Sequence, residues 1–336
     1  MASVRDDTQD SPEVRRRPAA TPVPADRVFG FVARGSGLLV LVIMAIVGLF
    51  LTIQAIPALR SAGPKFLTTT EWEPSSGRFG IAAVLFGTVI IGTLAISIAV
   101  TFALGTALYI SEYAPARLKR TFVSLVDLMA AVPSVVYGLW GVFFLQEHAV
   151  GLANWMSTYL AWIPLFGVPG RDPRDPLGSL TDLKSSAFMA AVVVAMMVTP
   201  IASSVMREAF SQAPAGEREG AYALGATRWG MIRTVVLPYG RGAIIGGTML
   251  GLGRALGETI TVAMIISPSF EINWHVLQKG SISVSSLIAL RYGEAGAFSL
   301  SALFAAGLSL FLLTMAVNFL ASSIVARSRS GAGAEA

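Results

Sequence analysis

The chain has 336 residues and a formal net charge of +5, with 54% hydrophobic and 13% charged residues, about half the ~25% charged share of a soluble globular domain. Cysteine is absent and only His148 and His275 represent histidine, which excludes disulfides, thiolate metal sites and a histidine-based metal centre. The charges crowd into short stretches between long apolar runs, the pattern of a chain that crosses a membrane repeatedly and not of a nucleic-acid binder.

Residues 1–30 read as a polar, Pro-rich, disordered cytoplasmic leader, with Arg15, Arg16 and Arg17 among residue types that cannot bury a core. The triplet resembles a twin-arginine export signal. However, the apolar run begins about twenty residues later, is too long for a signal segment and lacks a small-residue cleavage site. It reads as an uncleaved first transmembrane helix over 31–59.

Charge-free windows predict the remaining spans. Residues 35–59, 79–111, 128–146, 185–206 and 295–326 contain no Asp, Glu, Lys or Arg, and 242–267 is broken only by Arg254 and Glu258. A crossing needs about 20 residues at 1.5 Å rise, so the third window borrows residues 121–127. Pro133 falls inside that third span, where a missing backbone hydrogen bond kinks a helix; the kink can be a hinge or a static packing feature. The window 149–170 holds Trp155, Tyr159, Trp162, Pro164 and Pro169, a content that suits an external segment, 147–184, lying at the interface. With six spans, Lys and Arg concentrate on one side; with seven they divide more evenly. The expectation is an all-α polytopic membrane protein of six helices with both termini cytoplasmic.

This topology leaves one large cytoplasmic loop, 207–241. Within it, Gly225 can take the left-handed position that ends a helix, and Thr227 can N-cap a second helix that stops before Pro238. Such a hairpin can pack on its own bundle or serve as a rigid knob for a partner. In the fifth span, Arg254 and Glu258 stand four residues apart, a spacing that shares one helix face, among Gly251, Gly253 and Gly257. Two readings are open. One is an intrahelical ion pair that fixes packing. The other is an anion site in which the guanidinium grips a phosphate oxygen pair and Glu258 accepts a hydrogen bond from a protonated phosphate, which sulfate cannot supply. Asp127 and Glu112 read as solvated charges at cytoplasmic helix ends. Glu147, Asp172, Asp175 and Asp182 read as external charges, either simply solvated, as charged loops usually are, or open to a binding protein.

Glu219, Gly220, Ala221 and Gly225, with the ending Leu237-Pro238, resemble the EAA loop of ABC importer permeases, Gly220 replacing the usual alanine. Trp72-Glu73-Pro74, Tyr109-Ile110-Ser111-Glu112-Tyr113, Pro133-Ser134-Val135-Val136-Tyr137-Gly138 and Arg254-Ala255-Leu256-Gly257-Glu258-Thr259 resemble PstC-type phosphate permeases. The resemblance covers about residues 30–325 and implies a type I ABC importer permease domain over 79–325 in the bacterial cytoplasmic membrane. It implies translocation of inorganic phosphate by alternating access, with Arg254, Glu258 and Thr259 at the substrate and Glu219, Gly220, Ala221, Gly225, Leu237 and Pro238 at the ATPase contact. It further implies a PstA-like permease partner, a PstB-like ATPase dimer and an external phosphate-binding protein. No G-x-x-x-x-G-K-[ST] run occurs, so ATP hydrolysis belongs to a separate chain; no catalytic role, metal or cofactor is expected of this one. Another oxyanion as cargo, sulfate or molybdate, and an ion-coupled secondary transporter are the competing functions.

Overall fold

The computed structural model describes residues 24–170 and 180–329, so the expected leader falls mostly outside the described residues. The chain divides into two units, residues 1–49 and 50–336. The described part of the first unit is the opening stretch of one helix, Pro24–Ala62. This helix overruns the expected 31–59 at both ends. A charge-free window marks what must be apolar, while the hydrogen-bonded ladder runs on through Arg27, Arg34 and Arg60.

Among the described residues, six helices are long and apolar enough to cross a membrane: Arg27–Leu67, Ala82–Tyr113, Ser134–Tyr159, Ala187–Ser211, Arg228–Gly257 and Ala297–Ser323. In the second unit the fourth span is central, with most of its side chains buried. The second span packs along it and carries a buried alanine row, Ala95, Ala99, Ala103 and Ala107. Lipid tails give helices no hydrophobic reason to associate, so close approach across small residues takes over that role. The fifth span also approaches the fourth closely: a Cβ added to Gly251 would stand 2.7 Å from Val198 Cγ1.

The third span differs from its expected position. Val132 and Pro133 are both extended, with ψ of 129° and 140°, because a proline drives the residue before it out of the helical region. Residues Ala116–Ala131 therefore form a separate helix without a fully buried side chain. The crossing starts at Ser134 and continues to Tyr159, taking in Glu147 and His148. Pro133 thus separates two helices instead of kinking one. The stretch 147–159, expected within an external segment, is helical and continuous with this span.

Two connections frame the bundle. Between the first and second spans, Trp72–Glu73 and Arg78–Phe79 make a short hairpin, and Phe79 meets Phe66, Trp72 and Phe298 edge-on. Between the fifth and sixth, Ser283 and Ser286 form a capping box for Val284–Arg291. There the Val284 N–H donates to Thr88 Oγ1 at 2.9 Å, and Ser285 Oγ donates to the Leu256 carbonyl at 3.3 Å. This connection is pinned to the second and fifth spans.

Candidate functional site

The fifth span runs unbroken from Arg228 to Gly257. The expected stop before Pro238 does not occur: the helix widens to a π-type turn over Ile232–Val236 and Leu237–Gly257 carries on. Proline lacks the N–H and crowds the carbonyl four residues back; a widened turn just ahead of it accommodates both defects.

At Gly257 the helix ends. Glu258 is extended, at φ −66° and ψ 125°, and a short helix resumes at Ile260–Ile265. The expected sharing of one helix face by Arg254 and Glu258 fails for this reason, and among the described residues no ion pair joins them. Glu258 is 8% exposed. Its Oε1 accepts from the Thr261 hydroxyl at 2.7 Å and from the Thr261 N–H at 3.3 Å, so the carboxylate caps the short helix. The Thr261 hydroxyl also lies 3.0 Å from the Ser134 carbonyl, which ties the break to the start of the third span. Thr259 sits in the break and donates from Oγ1 to the Gly257 carbonyl at 3.1 Å. Interrupted helices at membrane depth persist only inside protein or beside a wet cavity, because free backbone groups need partners.

Arg254 remains on the helix one turn back. It lines a cavity of about 450 Å³ with Ile201 of the fourth span, Met249, Leu250, Gly253 and Asn318 of the sixth. No described carboxylate neutralises it. Charged residues within membrane spans are costly and face a bundle interior or a wet cavity, so an arginine on a cavity wall in the last turn of Leu237–Gly257 calls for a role. The structure brings Glu258 and Thr259 together in the break and sets Arg254 apart as an uncompensated cation.

The second feature is the knob between the fourth and fifth spans. Its first helix, Ala215–Ala223, ends at Leu224. Gly225 follows at φ +84°, with the Ala226 N–H on the Ala221 carbonyl (3.0 Å) and the Gly225 N–H on the Tyr222 carbonyl (2.9 Å). Those two bonds are the Schellman arrangement, which needs the left-handed residue. Thr227 then caps the next helix by accepting from the Gly230 N–H at 3.1 Å. Glu219, Gly220 and Gly225 are exposed and Ala221 is half-buried. Leu237 is half-buried and Pro238 exposed within the continuing helix. The tip presents Leu224 at 90% exposure, with Tyr222 and Trp229 also exposed, an apolar patch on a stiff turn. Gly225→Ala is expected to strain this turn by about 1–2 kcal/mol, the cost of a left-handed Cβ. Trypsin cleavage at Arg228 in detergent-solubilised protein should then run faster than in wild type; an unchanged rate would contradict the assignment.

The remaining charges sort by contact. Glu112 is not solvated: its side chain is 4% exposed and pairs with Arg218 at 3.0 Å. No local signal could have found this pair, because 106 residues separate its members. Asp127 is largely exposed, 3.9 Å from Arg207. Glu147 pairs with Lys184 at 2.6 Å and Asp182 with Lys279 at 2.5 Å. Asp172 and Asp175 lie outside the described residues.

Six membrane-length helices with a helical knob between the fourth and fifth have the fold of type I ABC importer permeases. It matches a bacterial ABC transporter involved in the import of the acidic polysaccharide alginate at a TM-score of 0.56 and 18% identity, over 90% of this chain and 99% of that one. An inward-facing structure of the MetNI methionine ABC transporter matches at 0.52 and 14%, over 74% and 95%. The chain belongs to the family of binding-protein-dependent transport system inner membrane components, whose pattern matches residues 99–330. Its relatives include the phosphate transport system permease protein PstC 2 of Mycobacterium tuberculosis, 35% identical over 310 residues, 91% of this chain and 93% of that one. PstC of Xylella fastidiosa is 37% identical over 271 residues, 80% and 81% of the two chains. PstC of Haemophilus influenzae is 35% identical over 307 residues, 88% and 91%.

Proposed function

We propose that this chain is the PstC-type permease subunit of an ATP-driven phosphate importer, non-catalytic itself, and that it moves inorganic phosphate across the bacterial cytoplasmic membrane by alternating access. The observation that carries the cargo is Arg254, a cation on a cavity wall with no described counter-ion. Phosphate satisfies a guanidinium with two parallel charge-assisted bonds. Relatives named as phosphate transport permeases over most of the chain support the same cargo.

Glu258 and Thr259 supply the selectivity half of the reading. The break leaves backbone groups outside the helical ladder, and Glu258 is fixed by Thr261 so that it cannot swing freely. A fixed carboxylate accepts a hydrogen bond from monohydrogen phosphate and repels fully ionised sulfate. Glu258→Gln is expected to narrow the preference for phosphate over sulfate at least about tenfold, since an amide can donate to either anion and each 1.4 kcal/mol is tenfold. Competition by sulfate and molybdate against labelled phosphate uptake reads this directly. Equal uptake of all three by the wild type would move the cargo to oxyanions in general, and unaltered discrimination in the variant would remove Glu258 from selectivity.

The knob carries the partner reading. Glu219, Gly220, Ala221 and Gly225, together with Leu237 and Pro238, shape the face that docks on a PstB-like ATPase. Both termini and the 207–241 loop then lie in the cytoplasm. A PstA-like permease completes the pathway, a second half-site being needed because one arginine does not balance a dianion. An external phosphate-binding protein delivers the anion to the opposite face.

A further inference from the structure

We infer that Arg218 and Glu112 form the mechanical joint by which the knob moves the second span, so that Arg218 is a positioning residue for transport. This inference rests on the ATP-driven reading above. Arg218 sits on the first knob helix and uses all three guanidinium nitrogens. Nη1 donates to Glu112 Oε2 at 3.0 Å, Nη2 to the Phe210 carbonyl at 2.5 Å and Nε to the Ala213 carbonyl at 3.2 Å. The Phe210 carbonyl belongs to the last turn of the fourth span, where a helix leaves acceptors without intrahelical donors, and the Ala213 carbonyl to the short turn between that span and the knob helix. Glu112 closes the second span, and its other oxygen accepts from Ser111 Oγ at 2.9 Å. One planar fork therefore locks the knob to the ends of two spans.

A second grip lies beside the first. Arg228, which opens the next knob helix, stands over the Tyr113 ring at 5.2 Å from its centroid. Both knob helices thus hold consecutive residues of one span end. Those residues belong to a widened π-type turn, Tyr109–Tyr113, a geometry frequent at functional sites.

The middle of the same rod touches the last turn of the fifth span. Gly92 packs so tightly on Leu256 that an added Cβ would stand 2.7 Å from Leu256 Cδ2. From Gly92 to Glu112 an α-helix covers about 30 Å. Displacement of the knob therefore arrives two residues from Glu258. Packing alone would need neither charge nor fork, since apolar side chains fill a buried ion-pair site at no loss of stability. A joint that must transmit pull without stretching does need them: parting the pair strands a buried charge.

The test uses the assembled transporter in proteoliposomes, with wild type, Arg218→Lys, Glu112→Gln and the double variant. Lysine keeps the charge and loses the fork; glutamine keeps the shape and loses the charge. Each single variant is expected to retain the co-purifying ATPase and to hydrolyse ATP, while ATP consumed per phosphate imported rises at least about fivefold. The double variant should be no worse than Arg218→Lys, as two members of one joint are not additive. An unchanged ratio in both single variants, additive losses, or uptake falling only in step with ATPase lost from the complex would each overturn the joint. Absence of ATP-dependent uptake in the wild type would overturn the import reading first, and the joint with it.

Discussion

Arg254→Ala in the assembled transporter is expected to lower phosphate uptake at least about 100-fold while leaving the protein in the membrane. A hydrogen bond to a charged group is worth about 1.5–3 kcal/mol net, and two parallel ones on a phosphate reach a hundredfold at about 1.4 kcal/mol per decade. Stability should not fall with it. Arg254 has no described carboxylate partner to strand, so its removal leaves no buried charge unpaired. Arg254→Lys separates charge from geometry: lysine keeps the cation on the cavity wall but offers no fork, so it should recover only part of the uptake. Initial rates with labelled phosphate, beside the amount of each variant in the membrane, decide the matter. Full uptake by the alanine variant would exclude Arg254 from the anion path.

Leu224→Asp is expected to abolish association with the ATPase while the bundle stays intact. Leu224 stands 90% exposed on the left-handed turn after the first knob helix. Burying such a side chain against a partner is worth about 1.5–3 kcal/mol, and an aspartate there adds the cost of a buried, unpaired charge. Glu219→Arg, on the same knob, should weaken the contact by reversing a charge. Co-purification of the ATPase and ATP-driven uptake should fall together in both variants. ATPase retained at wild-type levels in the leucine variant would place the docking face elsewhere.

The spans were legible because ionised residues cannot rest in hydrocarbon without a reason, so charge-free windows fall where helices cross. The knob turn was legible because its chemistry is local: a left-handed residue at Gly225 and a hydroxyl cap at Thr227 are each set by neighbours within five positions. Three features misled for equally definite reasons. The third window continued across Val132, yet Pro133 forces that residue out of the helix and shifts the crossing to Ser134–Tyr159. Pro238 marked an expected helix stop, but a widened turn ahead of it absorbs the missing donor. A four-residue spacing puts Glu258 on the Arg254 face; its carboxylate instead caps the helix of Thr261, a choice decided by a neighbour three positions on and by the third span. The Glu112–Arg218 pair lay beyond local reasoning, since only the tertiary fold brings a span end to the knob.

The most direct test of the account is labelled phosphate uptake into vesicles holding this chain with its permease partner, the ATPase and the external binding protein, with and without ATP, beside vesicles holding this chain alone. Uptake is expected only in the complete assembly and only with ATP, and is lost in Arg254→Ala. Phosphate uptake by the chain alone, without ATP, would contradict it.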